Sequence, residues 1–410
     1  GARLDKQQAL ELARAFLRAR GFDLDKAELK EQSEKDEKAR RDHTLVWELA
    51  VPGAGEAKLR HEVVVQGGVV GSWTREVKVP EAWRRAREKE TALTVVVRWL
   101  KLPLAGMLGA LALLMLVAKV RAGEMPWKAA ALLGAIAAAA VLLRLALSLD
   151  LLWSAYDTAI PAATFAVVIG VSLAVAALGI LVGAALTSGL AAALYPDALA
   201  AWRSGARRVY ARDALVAGVV ALGLALGLPA WRELVEGLVP HGRLATGVSW
   251  PSGVEATVPW LADVTRAVSS TLFVAAMAAI AAAVVGRHFR SIGRRALLAL
   301  LFALSFLPVA ARTPAEYAAG ALSLVVLAGG VLLLVLCFLR RNPLAWLAAA
   351  WLGLGGAAAI RLLAEPGGAY RFDGALALAV VVLPMAWLAL SIRGNRPGGN
   401  KAATSGVVQG

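Results

Sequence analysis

Cysteine is nearly absent from this sequence: Cys337 is the only one, and it sits inside an apolar run. A disulfide framework and a cysteine zinc site within one chain are therefore excluded. Histidine is scarce as well. His43, His61, His241 and His288 are scattered, with no spacing that sets two imidazoles on one helical face. The apolar second half has no histidine inside a span and no carboxylate pair, and neither G-x-S-x-G nor G-x-x-x-x-G-K-[ST] occurs. Hydrolytic metal chemistry needs about three converging N or O ligands and a base, and such a set is not found. Nothing points to a bound cofactor. Charge is sparse too: Asp, Glu, Lys and Arg make up 18% of the chain, against about a quarter in soluble domains.

What the chain has instead is apolar surface. Hydrophobic residues reach 59% and mean hydropathy is +0.64, values that belong to a membrane protein. The excess is uneven: residues 1–91 are rich in Lys, Arg, Glu and Asp, whereas 92–393 carry long runs of Ala, Leu, Val and Gly. The expected fold class is mainly α, a polytopic helical bundle preceded by a small α+β domain at 1–91 and followed by a flexible tail at 394–410. Runs of about 20 apolar residues, enough for a hydrocarbon core roughly 30 Å thick, predict nine spans. They lie near 99–119, 129–149, 160–186, 213–235, 262–286, 295–311, 316–339, 343–364 and 374–392.

Basic residues alternate between the connections. Lys119, Arg121 and Lys128, then Arg203, Arg207, Arg208 and Arg212, then Arg287, Arg290, Arg294 and Arg295 occupy every second loop. Arg340 and Arg341, and finally Arg393, Arg396 and Lys401, continue the series. The intervening loops carry Asp150, Asp157, Glu233, Glu236 and Glu255. The positive-inside rule then places the tail in the cytoplasm and residues 1–91 outside, which calls for a signal or anchor upstream of Gly1. The formal net charge of +15 comes from these loops and from the basic run before the first span, so the expected partner is anionic lipid and not nucleic acid.

In the polar domain, Asp5 followed by Gln8 is a capping-box pattern, and Leu10, Ala13, Phe16 and Leu17 form an apolar helical face that Gly21 ends. Alternation at 45–51 and 59–65 predicts strands, with Gly67-Gly68 turning into a further one. The charged run Glu31–Arg41 reads as a solvated loop or hairpin tip. His61 reads either as a ligand or as a satisfied strand histidine.

Ionisable residues in or near spans mark function by default. They are Arg144, Arg232, Glu233, Glu236, Asp263, Arg266 and Arg361. One reading makes them a polar crevice lined by Pro240–Pro259 with Trp250 and Trp260; the other makes them an interfacial belt of charge and aromatic rings. Asp263 and Arg266, three apart, are expected to form an ion pair. Glycines such as Gly179 and Gly183, or Gly218 and Gly223, are expected where helices approach closely.

The segment HEVVVQGGVVGSWTREV resembles a PepSY-type extracytoplasmic module, and YDTAIP, LLFALSFLP and FLRRNPLAWLAAAWL after a basic run resemble the CPBP intramembrane metalloproteases in their multi-span bacterial form. The resemblance implies a bacterial cytoplasmic membrane and a metal site built from a Glu-Glu-x-x-x-Arg helix, a Phe-x-x-x-His helix and a second histidine. Here Phe302 stands where the family has its aromatic and Phe306 where it has the imidazole, the fifth span has no acid after Arg266, and NPLAWLAAAWLGLGG lacks histidine. No site residue carries over. The expectation is a non-catalytic relative, an accessory subunit or scaffold beside other membrane subunits, with an atypical protease and a small-solute or lipid carrier as alternatives. Phe302 and Phe306, one turn apart, are expected to pack dry against neighbouring helices such as the fifth.

Overall fold

The computed structural model describes residues 2–37, 40–51, 55–89, 91–156, 160–196, 207–239, 253–307, 311, 313–339 and 342–393. It divides into two compact units, Gly1–Thr91 and Ala92–Gly410. The tail 394–410, expected to be flexible, lies outside the described residues.

In the first unit, α1 (Lys6–Ala19) starts at the predicted capping box: Asp5 Oδ1 accepts from the Gln8 N–H at 2.7 Å, and Gln8 Oε1 accepts from the Asp5 N–H at 3.1 Å. Gly21, at φ +75°, ends it. Ala9, Ala13 and Leu17 recur every four residues and bury one stripe against Leu45, Trp47, Val63 and Val65. The sheet beneath is an antiparallel meander of β1 (Glu28–Asp36), β2 (Arg41–Ala50), β3 (Lys58–Gln66) and β4 (Val69–Lys78). Most of the charged run expected to be a loop is therefore the second half of β1, in register with β2 from Glu31↔Val46 to Asp36↔Arg41. It escapes hydrophobic periodicity because it is an edge strand with both faces solvated. A short helix α2 (Glu81–Glu88) follows.

The second unit is all helix. Its elements are α3 (Ala92–Arg121), α4 (Trp127–Leu147), α5 (Leu149–Ser154), α6 (Ala162–Leu194), α7 (Arg207–Leu238), α8 (Pro259–His288) and α9 (Ile292–Ser305). Then come α10 (Pro314–Leu334) with a π-helical turn at Val335–Leu339, α11 (Pro343–Ala350), α12 (Ala357–Ala364) and α13 (Gly368–Arg393). The π-helical turn Trp351–Gly356 joins α11 to α12. Among the described residues, eight helices are long and apolar enough to cross a membrane. The missing ninth is the expected span at 295–311. Its helix, α9, has 14 residues, and 14 residues rise only about 21 Å.

Contacts sort the helix ends into two groups. At one end Gly189 of α6 meets Ala130 of α4 and Met125 just before it, Met115, Leu190 and Val284 cluster, and Ala211, Leu339, Ala345 and Leu388 form a second cluster. At the other end the Thr257 N–H donates to the Leu147 carbonyl at 2.9 Å, and Gly374 abuts Leu363. Helix α9 leaves the first end after His288 and finishes with Phe306 below Lys101 of α3, while α10 returns past Leu224 to Leu339. The chain thus passes from one end to the other between 289 and 313 despite the short helix. Lys119, Arg121, Lys128, Arg212, Arg287, Arg290, Arg294 and Arg295 fall at or near the first end. Arg203, Arg340 and Arg341 lie outside the described residues.

Close packing uses different glycines from those expected. A Cβ on Gly134 would come within 2.5 Å of the Leu181 carbonyl oxygen, and one on Gly374 within 2.5 Å of the Leu363 nitrogen. Gly218 does meet Ala348 and Leu352, but Gly179, Gly183 and Gly223 face open space. Spacing alone marks small residues without saying which face of the helix meets a neighbour.

Candidate functional site

Near the basic-loop end, a cavity of about 420 Å³ opens between α4, α6, α7, α8, α11 and α13. Alanines of three helices, among them Ala129, Ala192, Ala275 and Ala276, set the walls back, and Leu133, Leu272, Leu344 and Leu347 face them. The polar atoms are confined to a few residues: Tyr195, Tyr210, Asn342, Ser188 and the indoles of Trp346 and Trp387. No acid, base or imidazole is among the lining residues.

The mouth is fixed by hydrogen bonds that also tie helices together. Asn342 caps α11, its Oδ1 accepting from the Ala345 N–H at 3.3 Å, while its Nδ2 donates to the Tyr210 carbonyl at 2.8 Å. The Asn-Pro pair is a legible start signal, with Pro343 at the first helical position. The Tyr195 hydroxyl donates to the Ala279 carbonyl at 3.3 Å. Deeper, the cavity adjoins a recess of about 200 Å³, sharing Leu344, Leu347 and Trp387 with it and adding Thr271, Trp351 and Pro384. Helix irregularity shapes this recess. Pro384 interrupts the α13 ladder, and opposite it Trp351 opens the π-helical turn and donates its indole N–H to the Val381 carbonyl at 2.8 Å.

The residues singled out from sequence do not converge here. Phe302 and Phe306 are each 52% exposed, with ring centroids 4.9 Å apart and the Lys101 ammonium 5.8 Å from the Phe306 ring. The expected dry packing against the fifth span is absent because α9 packs on α3. Aromatic surface facing lipid carries no penalty of the kind water imposes. Arg144 is half-buried in the last turn of α4, and Glu233 is exposed. The Glu236 side chain and residues 240–252 of the expected crevice segment Pro240–Pro259 lie outside the described residues.

Asp263 is 3% exposed, tucked under a turn where Gly253 adopts φ +88°, so close that a Cβ there would lie 3.1 Å from Asp263 Oδ1. Arg266 is exposed, and the salt bridges among the described residues do not include the expected pair of these two. Glu316, which sequence reading missed, is buried in the first turn of α10, where Thr313 caps the helix.

Arg361 has a specific structural task. Pro229 inside α7 has no N–H, so the Ala225 carbonyl four residues back loses its helical donor. The Arg361 guanidinium reaches that carbonyl at 3.4 Å. Re-satisfying proline-freed carbonyls from a neighbouring helix is how membrane bundles tolerate internal proline.

In the first unit, a charged cleft of about 680 Å³ lies beside β2, β3, β4 and α2. Its buried Glu48 carboxylate takes Lys78 at 2.7 Å and Lys58 at 3.4 Å, and the Lys78 hydrogen bond holds the carboxyl below its usual range. On the helix-facing side His61 is 3% exposed, its ring 4.0 Å from that of Phe22. His61 Nδ1 accepts from the Trp73 indole at 3.1 Å, so the neutral ring carries its proton on Nε2, which has no partner. Burial pushes the His61 pKa down, and the charge of Arg75 adds to this. No group of three or more potential metal ligands occurs among the described residues.

Two measurements follow. Arg361→Leu should lower the thermal stability of the purified protein by about 1 kcal/mol, and the loss should shrink in a Pro229→Ala background, where the Ala225 carbonyl regains its own donor. Equal losses in both backgrounds would remove the link. For His61, the unfolded chain takes up its proton near the ordinary value of about 6.5, before the folded chain does. Stability of the first unit is therefore complete above that pH and falls as pH drops towards the lowered folded value. Protection factors of β3 and β4 in the full chain, with the intrinsic exchange rate at each pH divided out, should fall between pH 7 and 5, and His61→Gln should flatten that dependence.

Comparison of the chain with protein-family models, with curated proteins and with solved structures finds no match in any of the three.

Proposed function

We propose that this protein is a non-catalytic integral membrane protein that holds an apolar ligand between its helices. The observation that carries the reading is the 420 Å³ cavity, whose size suits a small molecule and whose lining has hydrogen-bonding groups but no carboxylate, amine, guanidinium or imidazole. A hydrolytic reaction would need a nucleophile or metal ligands there. In terms of the family resemblance, the chain is a degenerate CPBP-type protein behind a PepSY-like module. The outward placement of Phe302 and Phe306 supports that reading, because the helix that bears the family's imidazole does not reach the cavity.

The role as accessory subunit has separate support. The 18-residue apolar window of α6 has no buried residue, although this helix is the longest of the spans at 33 residues. The C-terminal part of α6 packs on α4 and α8, and a second protein along the unburied window would cover the rest. Native mass spectrometry after purification in mild detergent reads both features. A bound apolar molecule lost on Ala276→Trp supports the cavity, and a stoichiometric second subunit supports the accessory role. A chain that is monomeric and unliganded under these conditions argues against both.

The proposed orientation sets the basic-loop end in the cytoplasm, with residues 1–91 outside and the tail from Arg393 inside. In a Cys337→Ser background, Lys128→Cys should resist an impermeant thiol reagent in intact cells and react after lysis. Labelling from outside would reverse the orientation.

A further inference from the structure

We infer that the ligand is an anionic phospholipid, one acyl chain in the cavity and the phosphate held at its mouth by Lys128 and Arg287. The inference rests on the cavity being an apolar-ligand site and adds what that ligand is. Both cations lie at the mouth end of their helices. Lys128 precedes Ala129 on the first turn of α4, whereas Arg212, two residues past Tyr210 on α7, turns to the opposite, exposed face. Arg287 lies close enough for its charge to act on the Tyr195 hydroxyl.

Both cations are exposed, and neither takes part in a salt bridge among the described residues. The nearby acid Glu124 is already bound to Lys119, and among the described residues Asp213 is the remaining counter-charge at these helix ends. Positive charge at the rim and apolar walls behind it match the two ends of one molecule.

The depth fits a chain and not a headgroup. From Ala279 to Leu272 the lining runs seven residues along α8, about 10 Å into the bundle. Beyond the mouth the walls turn apolar, and the adjoining recess is walled by Leu344, Leu347, Met385 and Leu388. A charged group buried at that depth would be unpaired, whereas methylenes meet only carbon. The amphipathic rings of Tyr195, Tyr210 and Trp346 sit at the level where such a lipid passes from phosphate to chain.

The test uses the full chain in neutral detergent with added phosphatidylglycerol or phosphatidylcholine, read by native mass spectrometry and by thermal stability. One phosphatidylglycerol per chain should be retained, at least tenfold more tightly than phosphatidylcholine. Lys128→Gln and Arg287→Gln should each weaken it by roughly fivefold, the effect of one basic residue near an anionic surface. Ala276→Leu and the half-buried Ala192→Phe, which fill the cavity without changing charge, should abolish the one-to-one species in whichever variant folds.

Equal retention of the two lipids would overturn the inference. So would a phosphatidylglycerol that the charge variants weaken but neither cavity variant displaces, since that lipid lies on the outer surface. A different apolar molecule displaced by the cavity variants would overturn the lipid identity while leaving the cavity reading intact. If the cavity variants displace nothing at all, both fail.

Discussion

A bare carbonyl inside hydrocarbon has no water to turn to, and this bundle makes such carbonyls by placing prolines inside three of its helices: Pro103, Pro229 and Pro384. Much of the arrangement of α7, α11, α12 and α13 can be read as an answer to that constraint. Arg361 reaches back from α12 to the carbonyl that Pro229 frees. Trp351 donates to Val381, one residue from the carbonyl that Pro384 frees. Both donors come from the polypeptide that contains the π-helical turn, which rotates side chains relative to a regular helix. Arg361, which the sequence offers as part of a polar crevice or of an interfacial belt, instead reaches the backbone of a neighbouring helix.

Close packing supplies the rest of the cohesion. Between helices in lipid the hydrophobic effect gives little, so approach distance matters more than apolar area. The tight contacts fall at Gly134, Gly189 and Gly374, where backbones touch. Where alanine replaces glycine on several facing helices at once, the surfaces stand apart, and the gap is the cavity at the basic-loop end. Cavity and close contact are two outcomes of one choice of small residues, decided by whether a neighbour follows the surface inward.

Legibility in the sequence differs by level. The two-part layout, eight of the nine spans, the capping box at Asp5 and the strands around Trp47 and Val63 all follow from local periodicity, which acts over a few residues. The failures share a cause in tertiary contact. The strand β1 has no buried face to imprint on its pattern. For α9, the apolar run at 295–311 was counted by composition, but the helix stops at Ser305. Phe306 is expected in a dry core because the family resemblance sets it where an imidazole would face a metal cavity, but it is 52% exposed, and which way a helix turns a side chain is decided by its neighbours. The cavity was invisible for a related reason: Tyr195, Tyr210 and Asn342 lie in three separate loop ends, and only the packing directions of the helices bring them together.

Helix α9 bears on why those directions matter. Its roughly 21 Å rise falls about 9 Å short of a typical hydrocarbon core, yet its flanking helices run so that the chain must change ends between His288 and Pro314. A membrane meets such a deficit by local thinning or by letting polar side chains snorkel. The side chain at hand is Lys101, whose ammonium lies over the ring of Phe306 where the helix ends. An apolar stem along the ring and a charge directed to the interface serve both needs. The phenyl ring at 306 then has a physical role that an imidazole aimed at a metal would not have. It covers the end of a short helix, away from the cavity between the other helices.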